Sequence, residues 1–277
     1  MNDLAPAPLH TIVADLRSLA ECQRAEEYVC ITARREHGVR SAAIDRPTLA
    51  VVLRGRKRLH LDGASVELAA GDLFLFTRPC RLDAFNWPDA DGLYLTLMLP
   101  LCDEVLSAAR TLWAQPVVQG GPEVIAMPAV RLAAPLAAWA DALRQGEYGP
   151  ARAALATLLV RLCEMGHAAM LAPAPPSLST RIRALVAQAP QRAWRSADFE
   201  AELGLSGATL RRHLAAEGAS LLDAVAEARL ACGLNLLYTT RWPVKTVAAR
   251  VGYRSVPTFT RRFMQRYGLE PTQIGNG

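Results

Sequence analysis

The chain has 277 residues, half of them apolar, which is enough for two domains with separate cores and too many for a single small one. No apolar run approaches the length of a membrane span, and residues 1–9 lack a secretion signal, so a cytoplasmic protein is expected. The six scattered cysteines form no CxxC pair or metal-ligand cluster, so reduced thiols and no bound metal are expected. The net charge of +5 is uneven, because residues 1–173 hold 17 basic and 19 acidic side chains whereas residues 174–277 hold 14 basic and 7 acidic ones.

The basic side chains of the C-terminal part are all arginines except Lys245. A localised positive field attracts a polyanion and steers it towards the surface. A solvated, arginine-rich surface can also reflect composition alone, so charge by itself leaves both alternatives open.

Short strands separated by turns are predicted from Tyr28 to about Leu99. Turn residues such as Gly55, Gly63 and Gly71 punctuate the pattern, and many short strands with frequent turns are typical of a small antiparallel barrel or sandwich. The strand-like runs are Thr48–Leu53, Arg58–Leu61, Val66–Leu68, Leu73–Thr77 and Leu93–Leu99.

Residues 101–170 are rich in alanine and leucine and predict helices. An apolar face recurs at helical spacing within 151–170, and it either covers the sheet or pairs with a second copy of the chain. The proline-rich stretch 172–179 predicts an extended linker. The sequence therefore predicts a first domain at 1–171 and an all-helical second domain at 180–277, an α+β organisation.

A helix, a turn and a second helix are predicted for 196–217. Ser196 is a plausible N-cap of the first helix, Gly204 supplies the left-handed conformation that ends it, and Ser206 can cap the second helix. Leu210 and Leu214 would then face inwards. The outward positions of the second helix are Ala208, Arg211 and Arg212, an arrangement typical of a helix that enters the major groove.

The same pattern recurs at 243–267, where Gly252 takes the place of Gly204 and Ser255 that of Ser206. Phe259 and Phe263 occupy the inward sites. The outward face is Val256, Pro257, Thr260 and Arg261, with Arg262 and Arg266 nearer its edge. Ser220 to Tyr238 reads as one helix that connects the two units.

At these residues the chain resembles the AraC/XylS family of bacterial transcription regulators. The resemblance covers about residues 178–272 and rests on ELGLSGATLRRHL at 202–214, on Arg229 followed by NLL at 235–237, and on VAARVGYRSVPTFTRRFMQRYGLEP at 247–271. It implies two helix-turn-helix units whose recognition helices enter successive major-groove segments of double-stranded DNA, with RNA polymerase as a further partner.

Carried over by position, the resemblance implies that Ala208, Arg211, Arg212, Val256, Pro257, Thr260 and Arg261 lie at the DNA-contacting positions. The arginines can donate to guanine O6 and N7, or they can contact phosphate. Two departures are expected to loosen the second unit. Gly233 replaces the usual linker alanine at a cost of ~1 kcal/mol in helix propensity, and the PTQIGNG ending lacks an aromatic-arginine pair.

Residues 47–77 resemble the cupin-like barrel that accompanies this domain in many family members. Metal-dependent cupins need a His-x-His pair, and His60 stands alone between Leu59 and Leu61, so no metal, cofactor or catalytic residue is predicted. The first domain is expected to bind a small-molecule or protein effector, to form a homodimer, or both. The candidate pocket residues are Leu53, His60, Phe74, Phe76 and Trp87, with core packing or surface exposure as the alternative for each.

The sequence thus predicts a sequence-specific DNA-binding transcription regulator, an activator that an effector controls. Two other classes stay open. One is a DNA-repair enzyme that fuses the same helix-turn-helix pair to a zinc-cysteine domain, which the scattered cysteines do not favour. The other is a protein-interaction module whose basic charge is incidental.

Overall fold

The structure, a computed structural model, describes residues 7–21, 28–61, 63–117, 120–172 and 177–274. Its contacts divide the chain into two compact units, one of Met1–Glu36 with Ala43–Pro173 and one of His37–Ala42 with Ala174–Gly277. The sequence pattern does not predict that His37–Ala42 groups with the second unit. Of the predicted linker, residues 173–176 lie outside the described part of the chain.

Nine strands in the described residues form two sheets. They are β1 (Val29–Ala33), β2 (His37–Ile44), β3 (Thr48–Arg54), β4 (Arg56–Leu61), β5 (Ala64–Ala69), β6 (Asp72–Phe76), β7 (Cys80–Trp87), β8 (Tyr94–Pro100) and β9 (Val124–Pro128). The strand orders are β1-β8-β3-β6-β9 and β2-β7-β4-β5. The pairs β1–β8, β3–β6, β3–β8, β4–β5, β4–β7 and β6–β9 are antiparallel. The predicted antiparallel β architecture is therefore confirmed.

The two sheets share one apolar interior. Along β4 exposed and buried residues alternate strictly, as a strand with one solvated face requires. Side chains from both sheets meet in a single buried cluster, which consists of Ala33, Ala50, Val52, Leu59, Leu61, Leu68, Phe74, Phe76, Leu82, Ala84 and Tyr94.

Helices cover the other face of the five-stranded sheet. They are α1 (Ala7–Glu21), α2 (Asp103–Trp113), α3 (Ala133–Arg144) and α4 (Tyr148–Leu162), and α1 has no counterpart among the predicted helices. Leu49, Val51 and Leu53 of β3 belong to the same buried cluster as these helices. Because one side of β3 faces the barrel interior and the other faces the helices, nearly every residue of this strand is buried.

Residues 101–170 are not entirely helical, contrary to the prediction. β9 pairs with β6 at the edge of the five-stranded sheet, with Val124 opposite Phe76. Ile125 and Met127 are buried while Ala126 is exposed, which is the alternation of a half-buried edge strand. Five residues inside an alanine- and leucine-rich region are too few to reveal this period from the sequence.

One helical stretch, Tyr148–Leu171, is long and apolar enough to cross a membrane by length and composition, contrary to the expectation from the apolar runs. Its residues Leu158, Leu159 and Leu162 are fully buried in the core of the first unit. The stretch is also interrupted at Gly166, where φ is 94°. These contacts are those of a core helix.

Between residues 177 and 274 of the second unit, every described secondary-structure element is a helix, as predicted. Its helices are α5 (Leu178–Gln188), α6 (Ser196–Leu203), α7 (Gly207–Ala216), α8 (Leu221–Thr239), α9 (Val244–Arg250), α10 (Val256–Tyr267) and α11 (Pro271–Ile274). Helix α8 is the single connecting helix that the sequence predicts, and Ser220 caps it by accepting a hydrogen bond from the amide of Asp223.

A contact between α8 and α10 explains why glycine stands at position 233. A Cβ atom at Gly233 would lie 3.0 Å from Cε2 and 3.1 Å from Cζ of Phe259. Phe259 is fully buried and packs at 5.3 Å against the ring of Tyr253, so it has little room to move. The missing methyl group therefore lets α10 approach α8 closely. The sequence predicted instead that Gly233 would loosen the second helix-turn-helix.

Candidate nucleic-acid interface

The first helix-turn-helix consists of α6 and α7. Helix α6 ends at Gly204, whose φ of 64° is the left-handed conformation that glycine adopts without strain. Helix α7 begins after Ser206, whose Oγ accepts a hydrogen bond from the amide of Thr209 at 3.3 Å. Leu210 and Leu214 are buried. The glycine turn and the serine cap therefore lie where the sequence predicts them.

The start of α6 differs from the prediction by one residue. Arg195 is the N-cap, and its amide donates a hydrogen bond to Oδ2 of Asp198 at 2.7 Å, while Ser196 is already helical. This hydrogen bond, together with the nearby guanidinium of Arg192, lowers the pKa of the Asp198 carboxyl. The carboxylate at the helix start is thus stabilised in its charged form.

The outward side of α7 carries Ala208, Arg211 and Arg212, all exposed. Their spacing of three and four residues puts them on one face, opposite the buried Leu210 and Leu214. Within the residues that the structure describes, neither arginine side chain has an ion pair or hydrogen bond. Both guanidinium groups are therefore available to an external anion or base edge.

The second helix-turn-helix consists of α9 and α10. Gly252, with a φ of 82°, forms the turn between them. Ser255 occupies the N-cap position of α10 without a side-chain capping bond, and Val256 and Pro257 form the first turn. The buried side of α10 is aromatic and consists of Phe259, Phe263 and Tyr267. The ring centroids of Phe259 and Phe263 are 5.4 Å apart, and those of Phe263 and Tyr267 are 4.8 Å apart.

The opposite side of α10 presents Pro257 and Arg261 as exposed residues and Val256 and Thr260 as half-buried ones. Arg266 does not belong to this outward edge, contrary to the prediction. Its side chain is only 15% exposed and lies 3.7 Å from Glu227 of α8, so it holds α10 against the connecting helix.

Two further exposed cations lie outside the two recognition helices. Arg254 precedes α10 in the turn, and Lys245 lies in the first turn of α9. Sequence reasoning did not single them out as contacts, because a turn or first-turn cation has no fixed position on the amphipathic pattern of a recognition helix. Their exposure is the signal that reveals them.

Comparison with known proteins identifies this unit. A family model described as a helix-turn-helix domain matches residues 200–276. The matched residues overlap the segment that resembles the AraC/XylS family. The match begins within α6 and therefore contains both glycine turns and both recognition helices.

Two curated relatives match part of the chain. The urease operon transcriptional activator of Escherichia coli is 33% identical over 90 residues, which are 32% of this chain and 30% of that protein. GadX of Escherichia coli K12 is 29% identical over 133 residues, which are 47% of this chain and 48% of that protein. The chain thus matches less than half the length of these relatives.

Solved structures of ToxT from Vibrio cholerae share the fold of most of the chain. An apo variant of ToxT has a TM-score of 0.64 at 14% identity, covering 89% of this chain and 95% of that one. Wild-type ToxT bound to an unsaturated fatty acid has a TM-score of 0.60 at 14% identity, covering 90% of this chain and 95% of that one. The likeness supports a cupin-like antiparallel first unit followed by a helical second unit.

The structure separates the five pocket candidates of the first unit. Phe74 and Phe76 lie in the barrel interior, with their rings 5.6 Å apart and edge to face. Leu53 does not line this interior, contrary to the prediction, because strand alternation directs it towards the helices. His60 does not line it either. It is exposed on β4, where Nδ1 lies 3.0 Å from Oγ of Ser65.

Trp87 is half-buried beside a shallow cavity of about 370 Å³ on the first unit. The Arg58 guanidinium lies 5.2 Å from its ring centroid, and Phe85 stacks against it at 6.2 Å. Exposed Arg58 and Glu67 line the cavity together with buried Lys57 and Leu68, and Trp87 lies on the same exposed face of β7 as Phe85. Trp87 and the two phenylalanines therefore do not form one site.

A polar cluster inside the first unit was not predicted. Lys57 is buried and donates a hydrogen bond to Oδ1 of Asn86 at 2.8 Å, and the hydroxyl of Thr96 donates to that of Tyr94 at 2.5 Å. No group of three or more His, Cys, Asp or Glu side chains that could hold a metal ion occurs in the described part of the chain.

Proposed function

We propose that the chain is a cytoplasmic, sequence-specific transcription regulator that binds double-stranded DNA through α7 and α10. The observation that carries the proposal is the pair of helix-turn-helix units with exposed recognition faces, on which Arg211, Arg212 and Arg261 have no ion pair or side-chain hydrogen bond among the described residues. The concentration of positive charge in residues 174–277 supports it, since cations dominate the affinity for the phosphate backbone.

Footprinting of the full chain on DNA upstream of its own and neighbouring genes tests this function. We expect two protected segments on one face of the duplex, roughly 10 base pairs apart, because two recognition helices of one rigid unit enter successive major-groove segments. The double variant Arg211→Ala/Arg212→Ala should lose one protected segment. Absence of protection at every concentration would reject the proposal and favour the protein-interaction module instead.

We further propose that the protein activates transcription and contacts RNA polymerase. The name of one relative, a urease operon transcriptional activator, supports this direction. Transcription in vitro from the footprinted promoter should increase on addition of the chain. A decrease under the same conditions would identify a repressor.

The effector site is proposed to lie in the interior of the first unit, next to Phe74 and Phe76. The barrel architecture supports a small molecule with an apolar body, and ToxT, which shares the fold, has been solved with an unsaturated fatty acid. Equilibrium dialysis of the full chain against fatty acids of increasing length tests this class. Saturable binding that Phe74→Ala weakens supports it, whereas no binding by any of them favours a protein effector.

We also propose a homodimer formed through the first unit. Sedimentation analysis of the full chain at micromolar concentration should give twice the mass of the monomer. A strict monomer at that concentration contradicts the proposal.

A further inference from the structure

The guanidinium of Arg229 on α8 lies where three segments of the second unit meet. Its Nε donates a hydrogen bond to the carbonyl oxygen of Pro190 at 3.0 Å, and its Nη2 donates to that of Arg192 at 2.8 Å. Both acceptors belong to the loop between α5 and α6. Arg229 therefore ties the connecting helix to the segment that leads into the first helix-turn-helix.

That loop is itself fixed to the first helix-turn-helix. The ring of Trp194 stacks on the buried ring of Phe199 in α6, with 4.9 Å between centroids. The Arg192 guanidinium lies over Trp194 at 4.4 Å and forms an ion pair of 2.6 Å with Asp198. A displacement of the loop would consequently break contacts with α6.

The turn of the second helix-turn-helix lies against the same guanidinium. A Cβ atom at Gly252 would lie 2.7 Å from the carbonyl oxygen of Pro190 and 3.1 Å from Cζ of Arg229. The backbone of this turn can approach so closely only because the residue is glycine. The position of the turn at Gly252 is thus defined by Arg229 and by the loop that precedes the first helix-turn-helix.

We propose that Arg229 is a positioning residue that fixes the distance and rotation between α7 and α10, and so determines which separation of the two DNA half-sites the protein accepts. This inference rests on the proposed DNA-binding function. A forked guanidinium can donate to two carbonyl groups at once in a fixed geometry, whereas an ammonium is a single point donor. Arg229→Lys therefore keeps the charge and removes the fork.

Competition binding to the footprinted site and to versions with one base pair added or removed between the half-sites tests the proposal. One base pair turns the second half-site by roughly 35° around the duplex, since a turn takes about 10 base pairs. A rigid pair of units is sensitive to such a change, because simultaneous binding depends on matching geometry. The wild type should therefore discriminate strongly between these spacings.

For Arg229→Lys we expect the ratio of affinities between the best and the altered spacings to fall by about 10-fold. The ratio comes from one preparation, so a smaller active fraction does not affect it. The matched control is Arg181→Lys, because the Arg181 side chain is exposed on α5 and has no hydrogen bond or ion pair within the described ranges. An unchanged ratio in Arg229→Lys would overturn the proposal.

A distance measurement tests the positioning role without DNA. Glu202 of α6 and Gln265 of α10 are both exposed, so each can carry a spin label attached through a non-natural amino acid. The two labels report the distance between the two helix-turn-helix units in the full chain. We expect a narrow distance distribution in the wild type and a broader or shifted one in Arg229→Lys. Identical distributions would reject the positioning role even if no DNA site had been found, whereas a broader distribution in a protein that protects no DNA would reject only the DNA-binding function.

Discussion

Lys57 places an amine among apolar side chains in the first unit, where the residue is only 5% exposed. Its Nζ lies 5.6 Å from the ring centroid of Tyr94 in addition to its hydrogen bond with Asn86. Burial lowers the pKa of this amine to about 7, because removing the ammonium form from water is unfavourable and no carboxylate contacts it in the described part of the chain. The amine is therefore mainly uncharged in mildly alkaline solution.

This depressed pKa predicts a stability that rises with pH. Between about pH 7 and pH 10 the unfolded chain binds the Lys57 proton and the folded chain does not, so the free energy of unfolding increases over this window. Lys57→Met should raise the free energy of unfolding below pH 7 and flatten the rise above it. Urea unfolding of both proteins across the window measures the effect. Lys245→Met, at an exposed lysine, is the control, and equal slopes in all three proteins would contradict the prediction.

Arg212 and Arg261 are the two residues for which base readout is most readily tested. If each donates to a guanine in the major groove, Arg212→Ala or Arg261→Ala should cost ~1–3 kcal/mol of binding free energy on the footprinted site. Competition with random DNA distinguishes the roles. A loss confined to the specific site indicates base readout, and an equal loss on both DNAs indicates a phosphate contact.

The turn and the helix cap of the first helix-turn-helix were predictable from single residue types. Gly204 and Ser206 have conformations and capping bonds that their residue types favour regardless of the rest of the chain. Arg229 and Lys57 have no such signal, since their roles depend on partners about 30 or more residues away in sequence. Spacing within a helix or strand cannot reveal a partner on another element.

At the scale of elements, the periodic segments were predictable and the short or context-dependent ones were not. The limits of the connecting helix α8 are evident from the sequence to within one residue, because Ser220 caps its start and apolar residues continue along its 19 residues. β9 has five residues and owes its strand conformation to pairing with β6. The two sides of β3 face different cores, which is why Leu53 could not be assigned to the barrel interior from alternation within one strand.

The close packing of α8 and α10 predicts that Gly233→Ala is destabilising despite its higher helix propensity. Alanine gains about 1 kcal/mol in a helix interior, whereas overpacking a rigid core costs about 1–3 kcal/mol. The added methyl group would press on Phe259, which is held by Tyr253 and Phe263. We expect a lower midpoint of thermal unfolding for the second unit. Gly149→Ala in α4, with nothing within 4 Å, should not lower stability, and a stabilised Gly233→Ala would refute the packing argument.

At the scale of the molecule, charge is divided between the two parts of the chain. Residues 174–277 carry a net charge of +7 and residues 1–173 a net charge of −2. Each phosphate that a protein cation neutralises releases its condensed counterions. The logarithm of the affinity therefore falls linearly with the logarithm of salt concentration. The slope of this line counts the phosphate contacts, and we expect the second unit to supply them.

Arg254 is the residue with which this expectation can be tested most directly. It is exposed in the turn before α10 and is not among the positions expected to read bases. Arg254→Ala should weaken binding to specific and random DNA alike and reduce the salt slope by about 1. Arg34→Ala removes an exposed cation from the first unit and should leave the slope unchanged. If both substitutions reduce the slope equally, the first unit also contacts the phosphate backbone. In that case the division of charge along the sequence does not separate DNA binding from effector binding.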